Sequence, residues 1–337
     1  MSNSESTAMP DSPQPLPGAR ADGTPVSGTA ALPWTRLLYW SVLRELWEAR
    51  WIFIVPLIIV GVVLLGFVTG LVRVPLPLRG DIKLSALPPQ MSRVLEAPFE
   101  VASAVLMGTY FIVALIYCLG TLHGERWDRS ILFWKSLPVS DTTTVIAKAS
   151  IPIVLLPLIS FAVTVFTHLV MLLAGSAVLF VRGIHVAGIW AQIPFLSMWA
   201  ALLYHIVTVH ALYYAPIYGW PLLVSGWARR AAFLWAALPI VAIIILEKLV
   251  FDTSVFAHML RVRLTGGPAA DSFTSHGNLN MHVPAASFAS HGGMMLQTPT
   301  LANFTVFLTS PGLWIGLAVF ALFLLASIWQ RRRQGPI

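Results

Sequence analysis

The chain has 337 residues, 57% of them hydrophobic and 10% charged, with a mean hydropathy of +0.78. A soluble domain needs about 25% charged residues to cover its surface, and a disordered chain combines low hydrophobicity with high net charge. Both are excluded, and the composition is that of a polytopic membrane protein.

The balance of 21 Lys and Arg against 14 Asp and Glu, +7 in all, reads as basic loops at an anionic membrane face, with no nucleic-acid partner. Cys118 stands alone, so neither an intramolecular disulfide nor a cysteine metal site is available.

In chain order, residues 1–33 are rich in Ser, Pro, Gly, Ala and Thr and read as a disordered tail without a cleaved signal peptide. Residues 34–50 have the spacing of an amphipathic interfacial helix. Ser41, Arg44, Glu45 and Glu48 share one face, and Tyr39, Val42, Leu43, Leu46 and Trp47 lie opposite.

The remaining 51–333 reads as a six-span membrane domain, because a crossing takes about 20 mainly apolar residues. Trp51–Val72 and Val101–Leu122 are the first two spans. The third begins after Lys148 and can extend to Val181, long enough to tilt, or to start in the cytosol and bend at Pro152 or Pro157. Ala187–Tyr213 is expected as the fourth, followed by a re-entrant or interfacial segment where Pro216, Gly219, Trp220 and Pro221 interrupt the pattern. Ala231–Val250 and Pro311–Trp329 complete the six, with an inner loop over 123–148 and an outer loop over 251–306.

Orientation follows from the basic residues. With both termini inside, thirteen of the 21 Lys and Arg fall on the cytoplasmic side, among them Arg126, Arg129, Lys135, Lys148 and Arg331–Arg333.

The chain contains no Walker A motif, no His-Glu-x-x-His and no Gly-x-Ser-x-Gly. Nothing in it points to catalysis, so it reads as a non-enzyme. The most informative segment is the inner loop from Glu125 to Asp141, which mixes charges with Trp127, Ile131, Leu132, Phe133 and Trp134. It has the pattern of a short amphipathic helix ended by Pro138, with Ser140 or Asp141 capping a helix that runs into span three.

The run from Glu125 to Ser140 resembles the coupling-helix loop of ABC-2 type transporter permeases. Ala215–Arg230 is similar to the segment before the fifth span in bacterial members. The resemblance covers about residues 34–333 and implies a permease subunit that exports its substrate from a bacterial cytoplasmic (inner) membrane. It implies a second permease chain, as homo- or heterodimer, and a separate nucleotide-binding ATPase subunit. This chain would hold no cofactor, and ATP and Mg would sit on that partner. By carry-over Glu125, Arg126, Trp134, Ser136, Pro138 and Ser140 would contact the ATPase.

Ionisable groups inside a bilayer are expensive and mark function by default. His205, His210 and Glu247 form a candidate translocation path. The plain alternative is that neutral histidines, His168 included, bond helix to helix while Glu247 and Lys248 sit paired at the interface. In the outer loop His258, His276, His282 and His291 accompany Met281, Met294 and Met295, a donor set that suits copper. Their spacings match no compact site, and no metal is expected. The rival readings of function are a self-contained secondary transporter, which would need midplane Glu or Asp that the sequence lacks, and a membrane anchor or assembly factor.

Overall fold

The computed structural model describes residues 33–73, 89–136, 139–181, 190, 193–265 and 301–333. The expected tail, apart from Pro33, lies outside them. Among the described residues there is no strand. The elements are α1 (Trp34–Glu48), α2 (Trp51–Arg73), α3 (Pro89–Trp127), α4 (Ser130–Ser136), α5 (Asp141–Ser150), a π-helical turn (Ile151–Leu155), α6 (Leu156–Val181), α7 (Phe195–His205), a π-helical segment (Ile206–Tyr213), α8 (Ala215–Trp227), α9 (Ala232–Phe251), α10 (Val255–Leu264), α11 (Leu301–Thr309) and α12 (Pro311–Arg333).

Among the described residues six stretches are long and apolar enough to cross a membrane: Trp51–Arg73, Leu95–Trp127, Asp141–Val181, Phe195–Tyr213, Ala232–Phe251 and Pro311–Arg333. The third holds 41 residues. At about 1.5 Å per residue that is roughly twice the ~30 Å of a hydrocarbon core. It is one continuous rod, and the bend anticipated at Pro152 is a π turn. Pro152 has no N–H to give to the carbonyl four residues back, and the Leu156 amide bonds instead to the Ile151 carbonyl, five residues away.

The segment after the fourth span departs from expectation. The spanning helix starts at Phe195, behind Pro194, rather than at Ala187, which lies outside the described residues. Beyond Tyr213 the expected interruption at Pro216, Gly219 and Pro221 does not occur. The chain continues as α8, buried along most of its length and packed on α3 and α12.

The residues expected to interrupt α8 explain why it fits there. Pro216 falls in the first turn, where its missing N–H has no intrahelical partner to lose. Gly219 lets Phe320 of α12 approach until an added Cβ would sit 2.7 Å from its ring. Trp220 donates its indole N–H to the Ala236 carbonyl at 2.9 Å, tying α8 to α9.

The main core joins α3, α8 and the π segments through Tyr110, Tyr117, Cys118, Tyr213, Tyr218 and Leu222. A second cluster lies around Phe99, Met171 and Met198. Phe99 and Glu125 are both on α3, and 26 residues of helix separate them by about 40 Å. The outer surface is strongly apolar. Ile58, Val62, Leu65, Phe166, Leu173, Phe233 and Ile315 are all exposed, as suits a lipid solvent and not water.

The inner loop is helical over Ser130–Ser136 and again from Asp141, as its pattern predicts, and the outer loop contains α10 and α11.

Candidate functional site

The polar stripe of α1 turns inward. Ser41 and Glu45 are buried, while Trp34, Tyr39, Trp40 and Trp47 are 60–65% exposed. In water that arrangement would be inverted; beside lipid, the aromatic stripe is the outer one.

Glu45 meets Lys148 of α5, which is 1% exposed and places Nζ 2.8 Å from both carboxylate oxygens. The Tyr117 hydroxyl donates to Glu45 at 3.0 Å, and Thr121 donates to it at 3.4 Å. Lys148 also donates to Thr121 Oγ1 at 2.9 Å and lies 3.0 Å from Glu125 Oε1. Arg331 of α12 then pairs with the other oxygen of Glu125 and reaches Asp141 Oδ1 at 3.1 Å.

Four elements, α1, α3, α5 and α12, are thus closed by alternating charges at one end of the bundle. Ion pairs that have left water are held by mutual attraction plus hydrogen bonds, and removing one partner strands the other. Burial alone would raise the Glu45 carboxyl; the Lys148 ammonium and then Arg44 outweigh it and hold the group below the usual carboxylate value. Glu48 is pushed the other way, by burial and by the neighbouring Glu45 charge.

Arg44 carries this cluster to the loop. It lies 2.5 Å from Glu45 and 3.5 Å from Glu125, and its guanidinium stacks 3.9 Å above the Trp134 ring of α4. Ile131 is buried beneath α4, while Trp127, Leu132 and Phe133 are about 60% exposed. Arg129 adopts φ 57° in the reversal from α3 into α4.

The residues expected to meet an ATPase therefore divide. Glu125 and Arg126 face inward, Glu125 in the ion-pair cluster and Arg126 donating to the Gly226 carbonyl at 2.6 Å. Trp134 is half-buried under Arg44, and Ser136 is exposed at the end of α4. Ser140 is the cap of α5, accepting from the Thr143 amide at 3.1 Å. Pro138 lies outside the described residues.

Sequence reasoning put Glu45, Lys148 and Arg331 at helix ends but did not pair them. A signal was present. In a six-span chain the start of span one, the end of span two, the start of span three and the end of span six share one face, and opposite charges stand at those four places.

Deeper in the bundle, His205 and His210 come together, with ring centroids 5.7 Å apart, and His210 stacks edge-on to Tyr214 at 5.2 Å. Glu247 is engaged elsewhere. Its carboxylate accepts from the amides of Val255 at 2.5 Å and Phe256 at 2.9 Å and from the Thr253 hydroxyl, securing the first turn of α10.

His168 ties three helices. Its Nδ1 accepts the Trp199 indole N–H at 3.1 Å, and its Nε2 lies 3.0 Å from the Phe99 carbonyl and 3.2 Å from Ser103. An indole only donates, so Nδ1 is unprotonated and Nε2–H is the donor to Phe99. Of the outer-loop set, His258 is on α10; His276, His282, His291, Met281, Met294 and Met295 lie outside the described residues.

Helices of this length and apolarity, with a network of paired charges at one end of the bundle, define an all-α polytopic membrane protein. Comparison with protein-family models, with characterised proteins and with solved structures gives no match to this chain.

Proposed function

We propose that this chain is the permease subunit of an ATP-driven ABC-2 type exporter in a bacterial cytoplasmic membrane, with both termini in the cytoplasm. A second permease chain, identical or not, pairs with it. A separate nucleotide-binding subunit holds ATP and Mg and hydrolyses the nucleotide.

One observation supports the reading above others: the exposed apolar face of α4, formed by Leu132 and Phe133 beside Trp127, sits on the buried charges that join α1, α3, α5 and α12. Pressure on α4 acts through Trp134 and Arg44 on Glu45 and Lys148. From there it reaches the 41-residue rod of the third span and, through Glu125 and Arg331, the sixth. That is the mechanical link a permease needs when its energy source is another subunit. Aromatic side chains on an exposed loop are also the kind that anchor protein interfaces.

The test is purification of the tagged chain from its native cells in mild detergent, with ATP hydrolysis measured on the purified material. A P-loop ATPase subunit is expected to copurify and to be lost in a Leu132→Asp/Phe133→Asp double variant whose thermal stability is unchanged. Proton-driven flux by the purified chain without any ATPase would overturn the reading.

A further inference from the structure

At the charged end of the bundle Arg44, Lys148 and Arg331 are matched by Glu45, Glu125 and Asp141. Arg229 and Arg230, in the turn between α8 and α9, are not. Both are exposed, and among the described residues neither forms an ion pair.

The turn sits at that end because Arg126 of α3, next to Glu125, donates to the Gly226 carbonyl near the end of α8. Arg229 is close enough for its charge to act on Arg126, so the turn adds two positive charges beside a third. The sequence offers no relief nearby: residues 142–246 contain no Asp or Glu, so α8 and the start of α9 have no acid of their own. Like charges gathered without a counter-charge repel, and an anion placed among them is held.

Apolar surface adjoins this charge. Trp227 and Trp235 flank the turn with ring centroids 4.9 Å apart, and both are exposed. Along α9 Phe233, Leu234 and Leu238 are exposed as well, and Ala236 is the one buried residue of that helix. Cations at headgroup depth, tryptophans at the boundary and an uncovered apolar helix beyond them match a phospholipid from head to tail.

We infer that the α8–α9 turn binds the phosphate of an anionic phospholipid through Arg229 and Arg230, with the acyl chains lying on Trp227, Trp235 and the first turns of α9. A zwitterionic head brings its own cation to the same place, which sets the preference for net negative charge. A water-borne anion would use the arginines and leave the tryptophans and α9 uncovered. The site is independent of the permease reading.

Native mass spectrometry of the delipidated full chain in detergent tests this with three probes at equal concentration. They are phosphatidylglycerol, phosphatidylcholine with the same acyl chains, and inorganic phosphate. Phosphatidylglycerol should be retained and the other two should not. Arg229→Gln should weaken its binding about fivefold, and Arg229→Gln/Arg230→Gln about thirtyfold, from the usual worth of an arginine at an anionic surface. Arg36→Gln/Arg50→Gln, which removes the same charge from exposed positions in and beside α1, should leave it unchanged. Phosphatidylglycerol with a diazirine on one acyl chain should label α9. Equal retention of phosphatidylcholine or phosphate, unchanged binding in the double variant, an equal loss in the α1 control, or label absent from α9 would each overturn the proposal. So would a dimer of this chain that excludes the label from α9.

Discussion

Lys148 Nζ lies 2.8 Å from each carboxylate oxygen of Glu45, across 103 residues of chain. The contact joins the interfacial helix α1 to the first turns of the third span, and both side chains are almost fully withdrawn from solvent. The pair is a direct charged link between α1 and a transmembrane rod.

Removing either partner leaves the other charged and buried. Lys148→Met and Glu45→Gln should each lower unfolding stability by about 3–5 kcal/mol. The double variant should recover a large part of that loss, because neither charge is then stranded. Chemical or thermal unfolding in nanodiscs gives the cycle; strictly additive losses would mean that the pair is not a unit.

The same pair sets a pH dependence. Glu45 is held below its ordinary value of 4.5 when folded, so near that pH the unfolded chain binds more protons than the folded one. Its contribution is complete well above 4.5 and is lost as pH falls through the folded value. Stability of the wild type should drop over this acid range more steeply than that of Glu45→Gln. Glu48, whose carboxyl is raised, acts with the opposite sign: its contribution is present at low pH and lost as pH rises, so Glu48→Gln should be neutral or stabilising at pH 7.

Two glycines of α8 face α12 and should respond differently to alanine. At Gly219 the new Cβ meets the Phe320 ring, 2.7 Å away and packed against the core, and about 1–3 kcal/mol of overpacking is expected. At Gly226 it meets the Gln330 Oε1 at 2.5 Å, the end of a flexible side chain that can rotate away. Gly226→Ala should fold with little loss, and Phe320→Leu should rescue Gly219→Ala. Melting temperatures of the four proteins decide it.

Arg129 occupies the left-handed region at φ 57°, which costs a side-chain-bearing residue roughly 1–2 kcal/mol. Arg129→Gly should keep α4 in place and leave stability equal or higher, despite the lost charge. A marked destabilisation would show that the Arg129 side chain holds the turn.

The spans were legible in the sequence because the cost of placing a residue in lipid is summed locally. Trp51, Pro311 and the length of the third span could be read along the chain, and so could an irregularity at Pro152, which removes an N–H wherever it stands. Ser140 was readable as a cap for the same local reason. The sequence misled at α8, where Pro216, Gly219 and Pro221 look like breakers; their cost is offset by close packing on α3 and α12, which no local window contains.

The sequence by itself determined an all-α membrane chain of six crossings, with its charges kept to the ends. Tertiary structure alone decided which charges meet. Glu45, Glu125, Lys148 and Arg331 each look solvated in a local reading, and they become a buried network because helix packing brings four distant segments to one end of the bundle and excludes water there. It also decided that Glu247 secures α10, apart from His205 and His210, because the geometry of a hydrogen bond is fixed by packing between helices and not by order along the chain.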